Sequence, residues 1–261
     1  MIILFIILYL VLNHLFVTRS HIYKIINESY FFDRMSVRDL NIRGASSCEA
    51  YKESYKRSII SFTLYEKVLL HIRVYQANIY LKPYKKLYNI PWRFAKIHNK
   101  ESNYPHTLGD TIILPGIVDI ETLIHEKIHI FQRLYPTETS HIISDIWGFY
   151  PKMRMEDCPD VRNNPDVDSF IYTNHKLEKG KYMAQIYDEG ATKIGQAHTL
   201  LMPDRKIIYP ENLGLDPSIR QFEHPNEIMA ELLAAILAGG YAPLNRGGLH
   251  SPPQPLLDIF A

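Results

Sequence analysis

The chain is poor in cysteine, since only Cys48 and Cys158 among its 261 residues carry a thiol. Neither has a second cysteine at the short spacing of a zinc-binding pair, and the sequence leaves open whether the two form one disulfide or stay reduced. The chain also lacks an internal repeat, a glycine-rich phosphate-binding loop and a Gly-x-Ser-x-Gly motif. These absences remove the usual signatures of nucleotide-binding proteins and of serine hydrolases.

The net charge is small as well. It is +1, with 22% charged residues, so there is no reason to expect a nucleic acid or a strongly acidic partner. The part of the chain after Val17 is long enough for one large domain with its own hydrophobic core. We therefore expect residues 18–261 to form a single domain.

The longest hydrophobic run opens the chain. Met1–Leu12 is apolar without interruption, and Met1–Val17 as one helix would extend about 26 Å, close to the hydrocarbon thickness of a bilayer. A basic start and a small-residue cleavage site are both missing, so we expect an uncleaved, single-pass membrane anchor, with the signal peptide of a secreted protein as the alternative. Arg19 and Lys24 follow the run, a short flank that favours a cytoplasmic domain without fixing the orientation.

The most informative pattern is the run His125-Glu126-Lys127-Ile128-His129. A helix advances about 100° per residue, so His125 and His129 share one face and can hold one metal ion together. Glu126 lies beside them and can take a proton from a water that the metal activates. The alternative is an ordinary helix with two partly buried, hydrogen-bonded histidines.

The neighbouring residues favour a helix over Ile120–Tyr135. Asp119 can cap its first turn, and Pro136 prevents its continuation. Apolar residues recur between them at helical spacing, namely Ile120, Leu123, Ile124, Ile128, Phe131 and Leu134. This stripe should be buried, with the two histidines beside it.

A catalytic zinc ion usually takes three protein ligands, so a third is needed. A histidine six residues after His129 is excluded, because Tyr135 occupies that position. A second predicted helix begins at Pro225 and carries Glu227 and Glu231 four residues apart on one face. The alternative is an exposed acidic face in the first turns of a helix, where carboxylates suit the helix dipole.

The histidine run followed by Asn226–Glu231 resembles the gluzincins, the thermolysin-like class of zinc metallopeptidases. The resemblance implies an α+β, zincin-like fold, mainly helical with a small mixed sheet, after the N-terminal hydrophobic helix. It implies that His125, His129 and Glu227 bind Zn²⁺. It also implies that Glu231 accepts a hydrogen bond from His125, which would fix the orientation of that imidazole.

The segment between the two motifs is much longer than in thermolysin, and it contains other potential third ligands. They are His141, His175, Glu178 and His198, of which His141 is the strongest. A peptidase of this kind also needs a donor for the charged tetrahedral oxygen. The candidates for that donor are Tyr182, Tyr187, His198 and His224, and each of them is more often a structural residue.

The strands expected near the site precede the first motif. Asp110–Leu114 predicts a strand with Trp92–His98 as its neighbour, either an edge strand that pairs with an extended peptide or an ordinary core hairpin. Ser54–Leu81 predicts one long helix.

Three later segments have weaker signals. Pro151–Ser169 predicts a plain loop, because its aspartates, Asp160, Asp166 and Asp168, lack the Gly and the closing Glu of a calcium loop. Thr199–Met202 and Lys206–Tyr209 predict a hairpin. Pro243–Pro255 predicts an irregular tail.

Together these patterns lead to a hypothesis of function. The protein is a zinc-dependent peptidase that hydrolyses a peptide or protein substrate, with Glu126 as the catalytic base. The competing hypothesis is a zincin-fold scaffold with little or no turnover in a membrane or a viral particle. The hydrophobic N-terminus and the composition rich in Ile, Tyr and Asn resemble those of proteins from large DNA viruses.

Overall fold

The computed structural model describes residues 13–239 and 259–260. Over these residues the chain is α+β, with two separate sheets. The α-helices are α1 (Arg19–Glu28), α2 (Tyr30–Asp33), α3 (Val37–Ile42), α4 (Cys48–Arg57), α5 (Leu64–Leu81), α6 (Lys85–Asn89), α7 (Ile120–Leu134), α8 (Pro136–Ser140) and α9 (Pro225–Leu237). The strands are β1 (Ile59–Ile60), β2 (Phe94–Ile97), β3 (His106–Leu108), β4 (Thr111–Leu114), β5 (Phe149–Arg154), β6 (Phe170–Asn174), β7 (Tyr182–Tyr187), β8 (Ala197–Met202) and β9 (Lys206–Ile207).

The first sheet is mixed and lies between two helical layers. Its strand order is β1-β2-β4-β3, with β2 and β4 parallel and the outer pairs antiparallel. Ile112 and Leu114 face α5, α7 and α9, whereas Ile113 and Ala95 face α1 to α4. Because both faces are covered, β4 is an unbroken buried run. The predicted pairing of the two strand segments is confirmed.

The two motif helices form where the sequence predicts them. The side chain of Asp119 accepts a hydrogen bond from the amide of Thr122 at 2.7 Å and so caps α7. His224 caps α9, and Pro225 occupies the first helical position, where no backbone N–H is needed. The two helices pack together in one hydrophobic cluster through Leu123, Ile124, Ile128, Met229, Ala230 and Leu233. This packing brings the two motifs side by side.

The long segment between α7 and α9 forms the second sheet, which is antiparallel throughout in the order β5-β6-β7-β8-β9. One face packs on Ile228 of α9 through Tyr172 and Met183, and the other carries Ile171 and Ala184. The predicted fold, mainly helical with one small mixed sheet, is therefore wrong. Both β6 and β7 carry buried residues on each of their two faces, so apolar and polar residues do not alternate regularly along them. Because that alternation is the usual sequence signal of a strand, the sequence did not identify them.

The predicted helix over Ser54–Leu81 is also wrong. The helix α4 ends at Arg57, and Ile59–Ile60 then pairs with β2. A new helix begins after Thr63, because the Thr63 hydroxyl accepts from the Glu66 amide while the Glu66 carboxylate accepts from the Thr63 amide. This capping box separates two helices whose apolar spacing appears continuous in the sequence.

The predicted loop Pro151–Ser169 begins with part of a strand. Pro151 lies within β5, and β5 is an edge strand, where a missing backbone N–H is tolerated. The predicted hairpin is confirmed as β8 and β9. Cys48 and Cys158 are both free cysteines.

The predicted membrane anchor needs correction. Its first part, Met1–Leu12, lies outside the described residues, as does the predicted tail Pro243–Pro255. The carbonyl of Leu15 accepts from the amide of Phe94 at 2.8 Å, and the amide of Val17 donates to the carbonyl of Phe94 at 3.0 Å. These residues thus extend alongside β2 instead of continuing a helix. Within residues 13–239 and 259–260, no helix is both long and apolar enough to cross a bilayer, which contradicts the predicted anchored location.

Candidate metal centre

Three predicted ligands converge between α7 and α9. The Nε2 atoms of His125 and His129 are 3.0 Å apart, and Oε2 of Glu227 is 3.3 Å from each of them. His129 and Glu227 are fully buried, and the His125 side chain is 15% exposed. The packing of the two helices therefore closes a long gap in the sequence and brings the predicted third ligand to the histidines.

The three donor atoms fit a tetrahedral metal ion. Donor atoms about 2.0–2.1 Å from a tetrahedral zinc ion lie roughly 3.3 Å from one another, close to the observed spacing. Oε2 of Glu227 is buried and accepts no conventional hydrogen bond. The two imidazole nitrogens and one carboxylate are the donor types of a catalytic zinc site with an open fourth position. These residues can hold zinc.

The orientation of His129 is set by Gln132. The Gln132 side-chain amide donates to the carbonyl of Asn226 at 2.8 Å, so its Oε1 accepts from Nδ1 of His129 at 2.9 Å. With its proton on Nδ1, neutral His129 presents the Nε2 lone pair to the other two ligands. Gln132 therefore fixes the tautomer and also joins α7 to α9. The sequence motif did not identify this role.

The orientation of Glu227 is set by Asn164, which the sequence placed in a plain loop. The side-chain amide of Asn164 donates to Oε1 of Glu227 at 2.6 Å and leaves Oε2 for the metal. Burial raises the pKa of Glu227, but the adjacent imidazoles of His129 and His125 outweigh it and hold the pKa well below its usual range. Glu227 is thus an anion at neutral pH.

Two buried arginines hold the loop that contains Asn164. Arg34 donates to the carbonyl oxygens of Asn164 at 2.6 Å and Val167 at 3.2 Å. Arg43 donates to the carbonyl oxygen of Asn163 at 2.8 Å. Residues near the start of the chain therefore position a loop that in turn positions a ligand on α9.

Replacing Asn164 with Ala is expected to weaken zinc binding by about 10–100-fold, because supporting hydrogen bonds to ligands have effects of this size. Oε1 of Glu227 would become a buried acceptor without a donor, and the carboxylate could rotate. Competition with a chromophoric chelator would measure the affinity. Asn89→Ala, at an exposed position at the end of α6, is the matched control and should bind zinc as the wild type does. Equal affinity in both variants would contradict the role given to Asn164.

Glu126 lies beside the ligands with the character of a proton acceptor. Its side chain is buried, and its Oε2 has no hydrogen-bond partner. Burial raises its pKa well above the usual range, and the negative charges of Asp166 and Glu227 raise it further. A carboxylate with a raised pKa is a better base near neutral pH.

Glu231 does not occupy the place that the family resemblance implies. Its carboxylate accepts from the amide of Gln221 at 2.7 Å and from the amide of Arg220 at 2.9 and 3.0 Å. Among the described residues no hydrogen bond joins Glu231 to His125. The loop before α9 folds back over that helix and offers two amides to the carboxylate, so Glu231 stabilises the loop instead of the imidazole.

The other candidate residues are held elsewhere. Nε2 of His224 donates to the carbonyl of Phe170 while Nδ1 caps α9, and the Tyr187 hydroxyl donates to Asp39 at 2.5 Å. His198 is exposed and pairs with Asp188. None of the residues proposed as a rival third ligand or oxyanion donor joins the metal cluster in the described part of the chain; these are His141, His175, Glu178, His198, Tyr182, Tyr187 and His224.

A cavity of about 870 Å³ opens beside the cluster and is lined by His125, Glu126 and Glu227. Its polar wall includes Arg162, whose guanidinium Nε is buried and unpartnered. Arg162 therefore brings positive charge to the cavity wall, which the oxyanion donors chosen from the sequence do not line.

The edge of the first sheet nearest the cavity is β3, because Thr111–Leu114 lies between two other strands. The amide and the hydroxyl of Thr107 both donate to Asp166 at 2.6 Å. Neither alternative for Asp110–Leu114 is correct: β4 is not an edge strand, and it pairs in parallel with β2 and forms its hairpin with β3. Asp166 occupies the Thr107 amide, so a peptide cannot pair with the sheet there without displacing this loop.

Comparisons with protein-family models, curated proteins and solved structures gave no match for this chain. The chemistry of the site must therefore be inferred from its own residues.

Proposed function

We propose that this protein is a zinc-dependent hydrolase of peptide bonds. The observation that carries the proposal is the convergence of His125, His129 and Glu227 beside the buried, unpartnered carboxylate of Glu126. The adjoining cavity is open and large enough for several residues of a peptide. The proposal agrees with the gluzincin resemblance in the three ligands and the base, and departs from it at Glu231.

The chemistry divides between the metal and the chain. Bound zinc would lower the pKa of a water and polarise the substrate carbonyl. Glu126 accepts the proton of the attacking water and returns it to the leaving amine, a role suited to its raised pKa. Gln132 and Asn164 keep two of the ligands oriented throughout. Arg162 supplies positive charge to the tetrahedral oxygen.

The test is metal-dependent cleavage of a peptide library. The purified chain should bind close to one zinc ion, lose peptidase activity on dialysis against a chelator, and regain it when zinc is returned. Stoichiometric zinc without cleavage of any peptide would favour the alternative of a scaffold with a retained metal site. A protein that binds no zinc would contradict the proposal.

The affinity for zinc is expected to increase with pH. Burial alone lowers the pKa of His129, but the carboxylates of Glu227 and Asp166 outweigh it and raise the pKa from 6.5 to about 9. Without metal, this shift stabilises the fold fully below about pH 6.5, and the stabilisation is lost as the pH rises through about 9.

Zinc requires the neutral imidazole, so binding must release this proton. Titration calorimetry in buffers of different ionisation enthalpy would count the protons released. Apparent affinity should rise up to about pH 9 and then level off. An affinity that does not change over this interval would contradict the protonated state of His129 in the metal-free protein.

A further inference from the structure

The cavity beside the metal centre is strongly acidic. Among the described residues, eight carboxylate side chains and two arginines line it. Several of these carboxylates are engaged within the fold, as Glu101 is by Arg43 and Asp166 is by Thr107. Glu121, Glu126 and Glu223 behave differently, because in the part of the chain that the structure describes no other side chain donates a hydrogen bond to them or forms an ion pair with them.

Acidic residues of the cavity wall come from the same elements as the metal ligands, or from the segment next to them. Glu121 lies one helical turn before His125 on α7, and the two therefore share a face. Glu223 lies just before α9, four residues ahead of Glu227. Glu231, one turn after Glu227, accepts from the backbone amides of Arg220 and Gln221 and has no cationic partner among the described residues. The acidic wall is therefore contributed by both helices and by the loop between the second sheet and α9.

The negative charge of the cavity wall is only partly balanced by cations. Arg43 pairs with Glu101 and Arg133 lies 3.8 Å from Asp166, whereas Glu121, Glu126 and Glu223 form no ion pair in the part of the chain that the structure describes. Arg162 donates to the side chain of Gln185 and the carboxylates outnumber the arginines on the cavity wall. Burial and the charge of Glu227 raise the pKa of Glu223 to about 7, as expected where carboxylates repel one another. Independently, Oε2 of Glu126 is buried within the same cavity without a partner. A cation entering the cavity would relieve this repulsion.

We propose that the site acts on cationic peptides, and that its acidic wall binds the side chain of a Lys or Arg residue close to the cleaved bond. Glu121, Glu223 and Glu231 are the specificity-determining residues. This inference rests on the proposed peptidase function, because it names the substrate class of the same site. A cleft lined by charge of one sign concentrates oppositely charged ligands and selects among them.

Matched peptide pairs test the inference with the zinc-loaded, full-length chain. Each pair differs only by Lys against Gln, or Arg against citrulline, at one position near the cleaved bond. We expect kcat/KM to be at least about tenfold higher for the cationic member, and the preference to shrink as salt is added. A second set with an acetylated N-terminus distinguishes a side-chain cation from the terminal ammonium, and the preference should survive acetylation.

Variants assign the preference to the acidic wall. Glu121→Gln, at an exposed position, and Glu223→Gln should each reduce the preference severalfold while leaving cleavage of the neutral peptide nearly unchanged. Glu49→Gln, at an exposed position in the first turn of α4 and outside the cavity lining, is the matched control and should keep the full preference. Because Glu121 is exposed, its substitution tests the idea even if the Glu223 variant folds poorly.

Two failures are distinguishable. Equal cleavage of both members of each pair at low salt would overturn the inference and leave the peptidase proposal standing. Absence of cleavage of every peptide would overturn the peptidase proposal. In that case fluorescence anisotropy of an Arg peptide and its citrulline counterpart decides the inference, because preferential binding of the Arg peptide supports an acidic recognition site and equal binding overturns it.

Discussion

Replacing Glu126 with Gln is expected to abolish peptide hydrolysis while zinc remains bound. The amide has nearly the shape of the carboxylate but cannot accept the proton of the attacking water. Loss of a general base costs about 10²–10⁴-fold in rate. None of the three ligands changes, so the zinc content measured by elemental analysis should stay near that of the wild type. Glu28→Gln, at an exposed position at the end of α1, is the control and should keep full activity.

The same substitution should stabilise the metal-free protein. Burial and neighbouring carboxylates raise the pKa of Glu126 above its unfolded value, so the folded state loses stability as the pH rises through the raised pKa. Gln cannot ionise and avoids this loss. The melting temperature of metal-free Glu126→Gln should therefore exceed that of the wild type at alkaline pH, and the difference should vanish in acid.

The hydrolysis experiment has two outcomes that would rule out Glu126 as the base. One is full peptidase activity in Glu126→Gln, and the other is a loss of peptidase activity in Glu28→Gln as large as that in Glu126→Gln.

Replacing Arg43 with Met is expected to lower the free energy of unfolding by about 3–5 kcal/mol, the usual cost of breaking a buried ion pair from one side. The Arg43 side chain is fully buried between Asp39 and Glu101, to which it donates hydrogen bonds, and it reaches the Tyr187 hydroxyl at 3.1 Å. Methionine would leave two buried carboxylates without a cation. Denaturant unfolding measures the loss, and thermal unfolding should occur about 6–20 °C lower.

Two further variants test the cause of this loss. Arg19→Met, at an exposed position in the first turn of α1, should change stability by less than about 0.5 kcal/mol. Adding Asp39→Asn and Glu101→Gln to Arg43→Met should recover part of the loss, because the uncompensated charges are then gone. Because Arg43 also binds the carbonyl of Asn163, zinc affinity should fall as well. A wild-type unfolding midpoint in Arg43→Met would refute the proposed role of this cluster.

The metal cluster is the part of the site that could be predicted best from the sequence. His125 and His129 face the same way because any helix places residues four apart on one side. Asp119 and Pro225 mark the beginnings of their helices through local hydrogen bonding and a fixed backbone angle. These signals lie within a few residues of one another, so they do not depend on how the rest of the chain folds.

The supporting residues could not be predicted in this way. Asn164 lies 63 residues before Glu227 in a segment whose composition indicates only a loop. The sequence resemblance implies that Glu231 binds His125. In the structure the loop before α9 lies over that helix, so Glu231 binds the amides of Arg220 and Gln221 instead. No local pattern contains these choices, because each depends on where a distant segment crosses the helix.

By itself, the sequence determined the two motif helices and the common face of His125 and His129, because helix geometry and helix ends follow from neighbouring residues. The packing of the two helices then selected Glu227 from the candidate third ligands. The tertiary structure decided the second sheet, the break between α4 and α5, and the residues that orient His129 and Glu227. It also decided that the cavity wall is acidic. The physical reason is that burial and pairing of polar groups depend on contacts between distant parts of the chain, and only the packed fold specifies those contacts.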